Sequence, residues 1–127
     1  MIIALPTADR RTAHTFYRDG LGLEAFGEPA DDGVPEPLQF RLGTDVNLML
    51  IPSGGFGWVI GGWPVAARGT SECLLSVSVE SADEVDALVA KAVAAGAEVV
   101  RPAGEQPWGA YTGAIADPDG HVWQIST

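Results

Sequence analysis

The chain has one cysteine, Cys73, so no internal disulfide can staple it. It has one lysine, Lys91, and only 7 Lys and Arg against 17 Asp and Glu, a net charge of −10. Without a basic cluster to neutralise phosphates, nucleic acid and anionic membranes are excluded as partners. No apolar run approaches the roughly 20 residues that cross a bilayer, because Gly, Pro, Arg or Ser interrupts each one. Nor does a basic segment and long apolar stretch follow Met1, so no signal peptide is expected. These absences predict a cytoplasmic protein.

What is present describes a folded domain. With 46% hydrophobic and 19% charged residues over 127 positions, the composition is ordinary for a globular chain, and about two-thirds of its surface can be buried around one modest core. Ile2 to Leu5 reads as a strand, and Asp9 precedes a helix whose Ala13, Phe16 and Tyr17 share a face. Gly20 and Gly22 supply a helix ending. A proline-rich acidic stretch, 28–37, predicts an exposed loop, flanked by a short strand at Leu23 to Phe26. Alternation from Leu38 to Leu42, a Gly43-Thr44-Asp45 turn and Val46 to Ile51 predict a hairpin.

The second half repeats this plan. Leu74 to Val79 reads as a strand. Ser81 and Glu84 form a capping box, and Val85, Leu88, Val89, Ala92 and Val93 stripe one face of a helix closed by Gly96. Short strands follow at Glu98 to Arg101, Tyr111 to Ala116 and Val122 to Ser126, the last two joined by an Asp117-Pro118-Asp119-Gly120 turn. Helix-ending glycines and hairpin turns recur about 75 residues apart, which is economically explained by duplication.

The Phe16-Tyr17 and Gly20-Leu21-Gly22-Leu23 helix ending, together with Ala116-Asp117-Pro118-Asp119-Gly120-His121-Val122-Trp123-Gln124-Ile125, resembles the glyoxalase, bleomycin-resistance and extradiol-dioxygenase (vicinal oxygen chelate) superfamily. The resemblance implies an α+β fold: two tandem βαβββ modules, about 1–52 and 71–127, joined by a connector at about 53–70 and forming a curled mixed sheet around a cavity. It places the superfamily's metal-ligand positions near Ile2, Met49, Leu74 and Gln124. Only Gln124 offers an oxygen to a hard cation. The expectation is therefore a protein without a metal or other cofactor.

No Ser-His-Asp or Cys-His arrangement can be assembled by spacing. His14 and His121 are read as structural or solvent-facing, and Cys73 as a small buried hydrophobe. The glycine-rich segment 54–63 lacks a P-loop lysine, yet Phe56, Trp58, Val59, Ile60 and Trp63 are too apolar for a plain solvent loop. It closes over a ligand, packs into a subunit interface or packs internally. Strand alternation sends Leu74, Ser76, Ser78, Gln124, Asn47, Met49 and Ile51 to the cavity and Trp123 to the core. With Trp108 and Tyr111 as ring walls, the expected ligand site comprises Trp108, Tyr111, Met49, Asn47, Ser76, Gln124, Trp58 and Trp63. The leading reading is a metal-independent small-molecule-binding protein, a homodimer similar to the antibiotic-sequestering members, with an aromatic ligand that the net charge makes neutral or cationic. Two alternatives stand beside it: a lyase- or dioxygenase-type enzyme with an altered divalent-metal site, and a structural or partner-binding module.

Overall fold

The computed structural model describes residues 1–127. Its elements run β1 (Ile2–Thr7), α1 (Arg10–Asp19), β2 (Ala25–Phe26), β3 (Leu38–Arg41), β4 (Asn47–Pro52), α2 (Ser53–Val59), β5 (Leu74–Ser78), α3 (Ala82–Ala94), β6 (Glu98–Glu105), β7 (Tyr111–Ala116) and β8 (Val122–Ser126). Two four-stranded sheets result, ordered β1-β4-β3-β2 and β5-β8-β7-β6, so each half uses the same first-last-third-second topology. In each, the first strand runs parallel to the last and the remaining pairs are antiparallel. The fold is α+β, and neither sheet closes into a barrel.

Local chemistry explains the helices. The Asp9 carboxylate accepts from the N–H groups of Arg11 and Thr12 at 2.9 and 3.1 Å, satisfying donors that the first turn of α1 leaves unpaired. At the other end Gly20 stays right-handed and Gly22 takes the positive φ of 67°. Gly20 is needed for space: a Cβ there would lie 2.7 Å from the Phe16 carbonyl oxygen. Ser81 caps α3, accepting from the Glu84 N–H at 3.2 Å, but the Glu84 carboxylate reaches back to the Glu80 N–H rather than to Ser81.

One hydrophobic cluster spans both halves. Ala13, Phe16 and Tyr17 of α1 join Leu38, Phe40, Leu48 and Leu50 of the first sheet, while Val85 and Ala92 of α3 join Ile115, Trp123 and Ile125 of the second. Val93, expected on the buried stripe, is 43% exposed.

A polar latch ties the halves together at the Asp117–Gly120 turn. Buried Asp117 accepts from the Tyr17 hydroxyl and from the N–H groups of Asp119 and His121 at 2.9 and 2.8 Å. The Trp123 indole N–H donates to the Tyr17 oxygen at 3.2 Å. Asp119 accepts from the Thr7 hydroxyl at 2.6 Å and the Ala8 N–H at 2.8 Å, and His121 Nε2 lies 2.6 Å from the Pro6 carbonyl. A motif readable as a local turn thus clasps the end of β1 and the face of α1.

Three expectations change. The 28–37 loop is pinned rather than free: Val34 is buried, and Arg10 pairs with Asp32 and Glu36 at 2.7 Å while donating to the Val34 and Pro35 carbonyls. The connector opens with a helix, α2, despite Gly54, Gly55 and Gly57, because the Ser53 hydroxyl anchors on the Thr7 carbonyl at 3.1 Å and the helix packs on β1 and β4; packing overrides propensity. The strand expected at Glu98 to Arg101 runs on to Glu105 through two register shifts.

Candidate functional site

Each sheet buries one face against its helix and leaves much of the other open, although on the second sheet Thr112, Ala114 and Ala116 of β7 are buried on that side too. On β5 the alternation is as read from sequence: Leu75 and Val77 turn inward, and Leu74, Ser76 and Ser78 are exposed. Ser76 sits opposite Gln124 of β8, which sits opposite Ala114 of β7, which sits opposite Arg101 of β6, so these four share the open face. Arg101 lies across it, donating from Nη2 to Thr112 Oγ1 at 2.8 Å and to Gln124 Oε1 at 3.4 Å. The first sheet is built alike: Met49 and Asn47 of β4 lie opposite Gln39 and Arg41 of β3, and the Arg41 guanidinium stands 4.7 Å over the Phe26 ring.

A cavity of 710 Å³ lies between the connector and the junction of the halves. Phe56, Ile60 and Trp63 come from the connector side, Leu5 and Pro6 from β1, and His121 from the latch. That volume suits a drug-sized ligand. Pro6 and Val122 of the open rows line it together with Leu5 and Leu75 of the inward rows, so the cavity sits at the strand ends where the two faces of each sheet meet.

Of the eight residues expected to form one pocket, only Trp63 lines this cavity. Asn47 and Met49 share one open face, Ser76 and Gln124 the other. Trp58 is 83% exposed at the end of α2, and Trp108 is 70% exposed in the turn between β6 and β7. Tyr111 turns toward α3 instead, its hydroxyl donating to Asp86 at 2.9 Å, because it shares the parity of core residue Ile115. Cys73 is exposed and lines the cavity, contrary to its reading as a buried hydrophobe: it precedes β5 at the end of an exposed connector. His14 stacks on Phe40 at 6.3 Å between centroids.

Neither metal arrangement fits. At the four positions implied by the resemblance, Ile2, Met49 and Leu74 offer no hard donor, and the Gln124 oxygen already accepts from Arg101. Asp117, Asp119 and His121 bring ligand atoms within 4.8 Å of one another. All three, however, are engaged in the latch, and a cation there would have to displace Tyr17, Thr7 and the Pro6 carbonyl from them. Burial pushes the Asp117 carboxyl above its usual range, opposed by the Tyr17 hydrogen bond. Burial, reinforced by the Asp117 charge, raises the Tyr17 hydroxyl well above 10.0.

Two tandem βαβββ units with open, one-sided sheets define a vicinal-oxygen-chelate fold. The chain belongs to the Glyoxalase/Bleomycin resistance protein/Dioxygenase superfamily, whose model matches residues 2–125. Among solved structures, it is similar to a glyoxalase-related enzyme from Fulvimarina pelagi at 29% identity and TM-score 0.85, covering 98% of this chain and 84% of that one. It is also similar to hypothetical protein SA1046 from S. aureus at 26% identity and TM-score 0.83, covering 100% and 92%. A lactoylglutathione lyase from Agrobacterium tumefaciens, 24% identical with TM-score 0.69 over 99% and 90%, shares the fold. Comparison with curated proteins gave no match.

Proposed function

We propose that this protein is a metal-independent small-molecule binder that holds a planar aromatic ligand against its open sheet faces, as a homodimer, in the manner of the superfamily's antibiotic-sequestering members. The observation that carries the reading is the open face itself: Ser76 and Gln124 on one sheet, and Asn47 and Met49 on the other, present uncharged groups without a set of hard cation donors. An open face cannot enclose a ligand alone, so a second copy completes the site. Exposed Leu74, Val100, Trp58 and Trp108 supply apolar area for that contact and ring surface for stacking. The connector acts as a cover at the edge where β1 and β5 meet the 710 Å³ cavity, with Trp63 as its ring.

Light scattering at micromolar concentration should give a particle of twice 13.2 kDa. In thermal-shift screens of planar aromatic antibiotics, a ligand at 100 times its Kd should stabilise the fold by about 2.7 kcal/mol. A monomer that no such compound stabilises would overturn the reading. Stoichiometric Ni, Zn, Fe or Mn in the purified protein would instead favour an enzyme with an altered metal site.

A further inference from the structure

The arginines are distributed unevenly in their pairing. Arg10, Arg18 and Arg68 each stand within 4.0 Å of a carboxylate: Asp32 and Glu36, Asp19, and Glu98 respectively. Arg41, Arg101 and Arg11, the last exposed on α1, stand near none, although acids outnumber bases 17 to 7, and of these three only Arg41 and Arg101 belong to the sheets. Both lie on open faces, one per sheet. In the first sheet the open row of β1, β3 and β4 contains no acidic residue, running through Ala4, Met49, Gln39, Asn47 and Arg41. On the second sheet Glu98 shares the face of Arg101 but is turned to Arg68 at 3.8 Å, so the acidic chain leaves one guanidinium on each open face without a carboxylate in contact.

Arg101 is also held in place. Its Nη2 is shared between Thr112, which is buried, and Gln124, while Nε and Nη1 bond to nothing in the chain. A guanidinium anchored through one nitrogen keeps donors free for a second partner, and its planar fork matches the two oxygens of an oxyanion. We infer that the ligand of these faces carries an anionic group, a carboxylate or a phosphate, which Arg101 receives beside Gln124. This rests on the ligand-binding reading above and replaces the neutral or cationic ligand that net charge alone predicted. At contact distance the nearest fixed charge outweighs the diffuse field of exposed carboxylates, which salt screens within about 8–10 Å.

The test uses four probes of one ring: 2-naphthoate, 2-naphthyl phosphate, 2-naphthamide and 2-naphthylmethylammonium. Each is titrated calorimetrically into the full chain and into Arg101→Gln, with Arg18→Gln controlling for net charge. The better of the two anions should bind about tenfold more tightly than the amide, and which one wins distinguishes carboxylate from phosphate. Arg101→Gln should abolish that preference and leave amide affinity within about twofold, while Arg18→Gln keeps it. Nitrogen-15 spectra of each variant report the fold, and in the wild type the Arg101 Nε–H should shift with the anions. The assignment falls if the amide or the ammonium binds as tightly as the better anion, or if Arg101→Gln retains the preference. If none of the four binds, the ligand-binding reading falls and takes this assignment with it.

Discussion

Replacing Tyr17 by Phe removes one oxygen from the latch and nothing else from the core. The ring is fully buried and packs edge-on to Phe16, with centroids 5.1 Å apart, contacts that Phe preserves. Two groups lose a partner. The Trp123 indole N–H, buried with its ring, has no other acceptor, and such an orphan costs about 1–3 kcal/mol. Asp117 keeps its two backbone donors but loses the hydroxyl, and a hydrogen bond to a charged group contributes about 1.5–3 kcal/mol. Because the two losses share one oxygen they do not add fully, and the expected destabilisation is about 2–4 kcal/mol, a large share of the roughly 5–15 kcal/mol typical of a domain. Urea melts should show a lower midpoint at unchanged slope. A loss under about 0.5 kcal/mol, typical of surface substitutions, would refute the claim that this hydroxyl joins the halves.

The same hydroxyl predicts alkaline behaviour: the fold keeps Tyr17 protonated above the pH near 10 at which the unfolded chain releases it. Its contribution is therefore complete below pH 10 and falls by about 1.4 kcal/mol per unit above it, a slope that Tyr17→Phe should remove from the wild-type profile. Gly20→Ala places a Cβ 2.7 Å from a backbone oxygen and should cost about 1–3 kcal/mol by thermal melting; a stabilised variant would show that α1 can shift freely. Trp108→Ala, at a ring 70% exposed, should change stability by under about 1 kcal/mol in urea, and a loss above about 3 kcal/mol would place the ring in a core. Added Ni, Zn, Mn or Fe should leave Tm unchanged, and a metal-induced rise abolished by Gln124→Ala would refute the donor argument.

Much of the fold is visible in local pattern. β7 and β8 have the bounds their alternation predicts, and the outward set Leu74, Ser76 and Ser78 follows from period two alone. The latch does not, because Tyr17 and Asp117 are 100 positions apart and Thr7 and Asp119 are 112 apart; a turn motif announces its own geometry but not what it grips. Arg101 escaped for a different reason. Register shifts on both sides of it break the alternation that would assign its face, so only the paired strand β7 reveals it. The eight-residue pocket failed to assemble because parity gives a side of a sheet, whereas enclosure depends on where two sheets and a connector sit in space. In Tyr111, parity taken from Ile115 would have given the correct side.

The latch also bears on how the chain could be divided. Positions 61–73 are all exposed, while the clasp between halves is made by the Pro6 carbonyl, the Ala8 N–H and side chains at 7, 17, 117, 119, 121 and 123. Covalent continuity through the connector therefore raises the effective concentration of one half for the other without supplying the specificity of their pairing. Two separately expressed fragments cut within 61–70 would carry complementary latch residues, the Thr7 and Tyr17 side on one and the Asp117-to-Trp123 side on the other. An ancestor built from two free copies of the unit could have met in the same way, through a turn on one copy gripping the first strand and helix of the next.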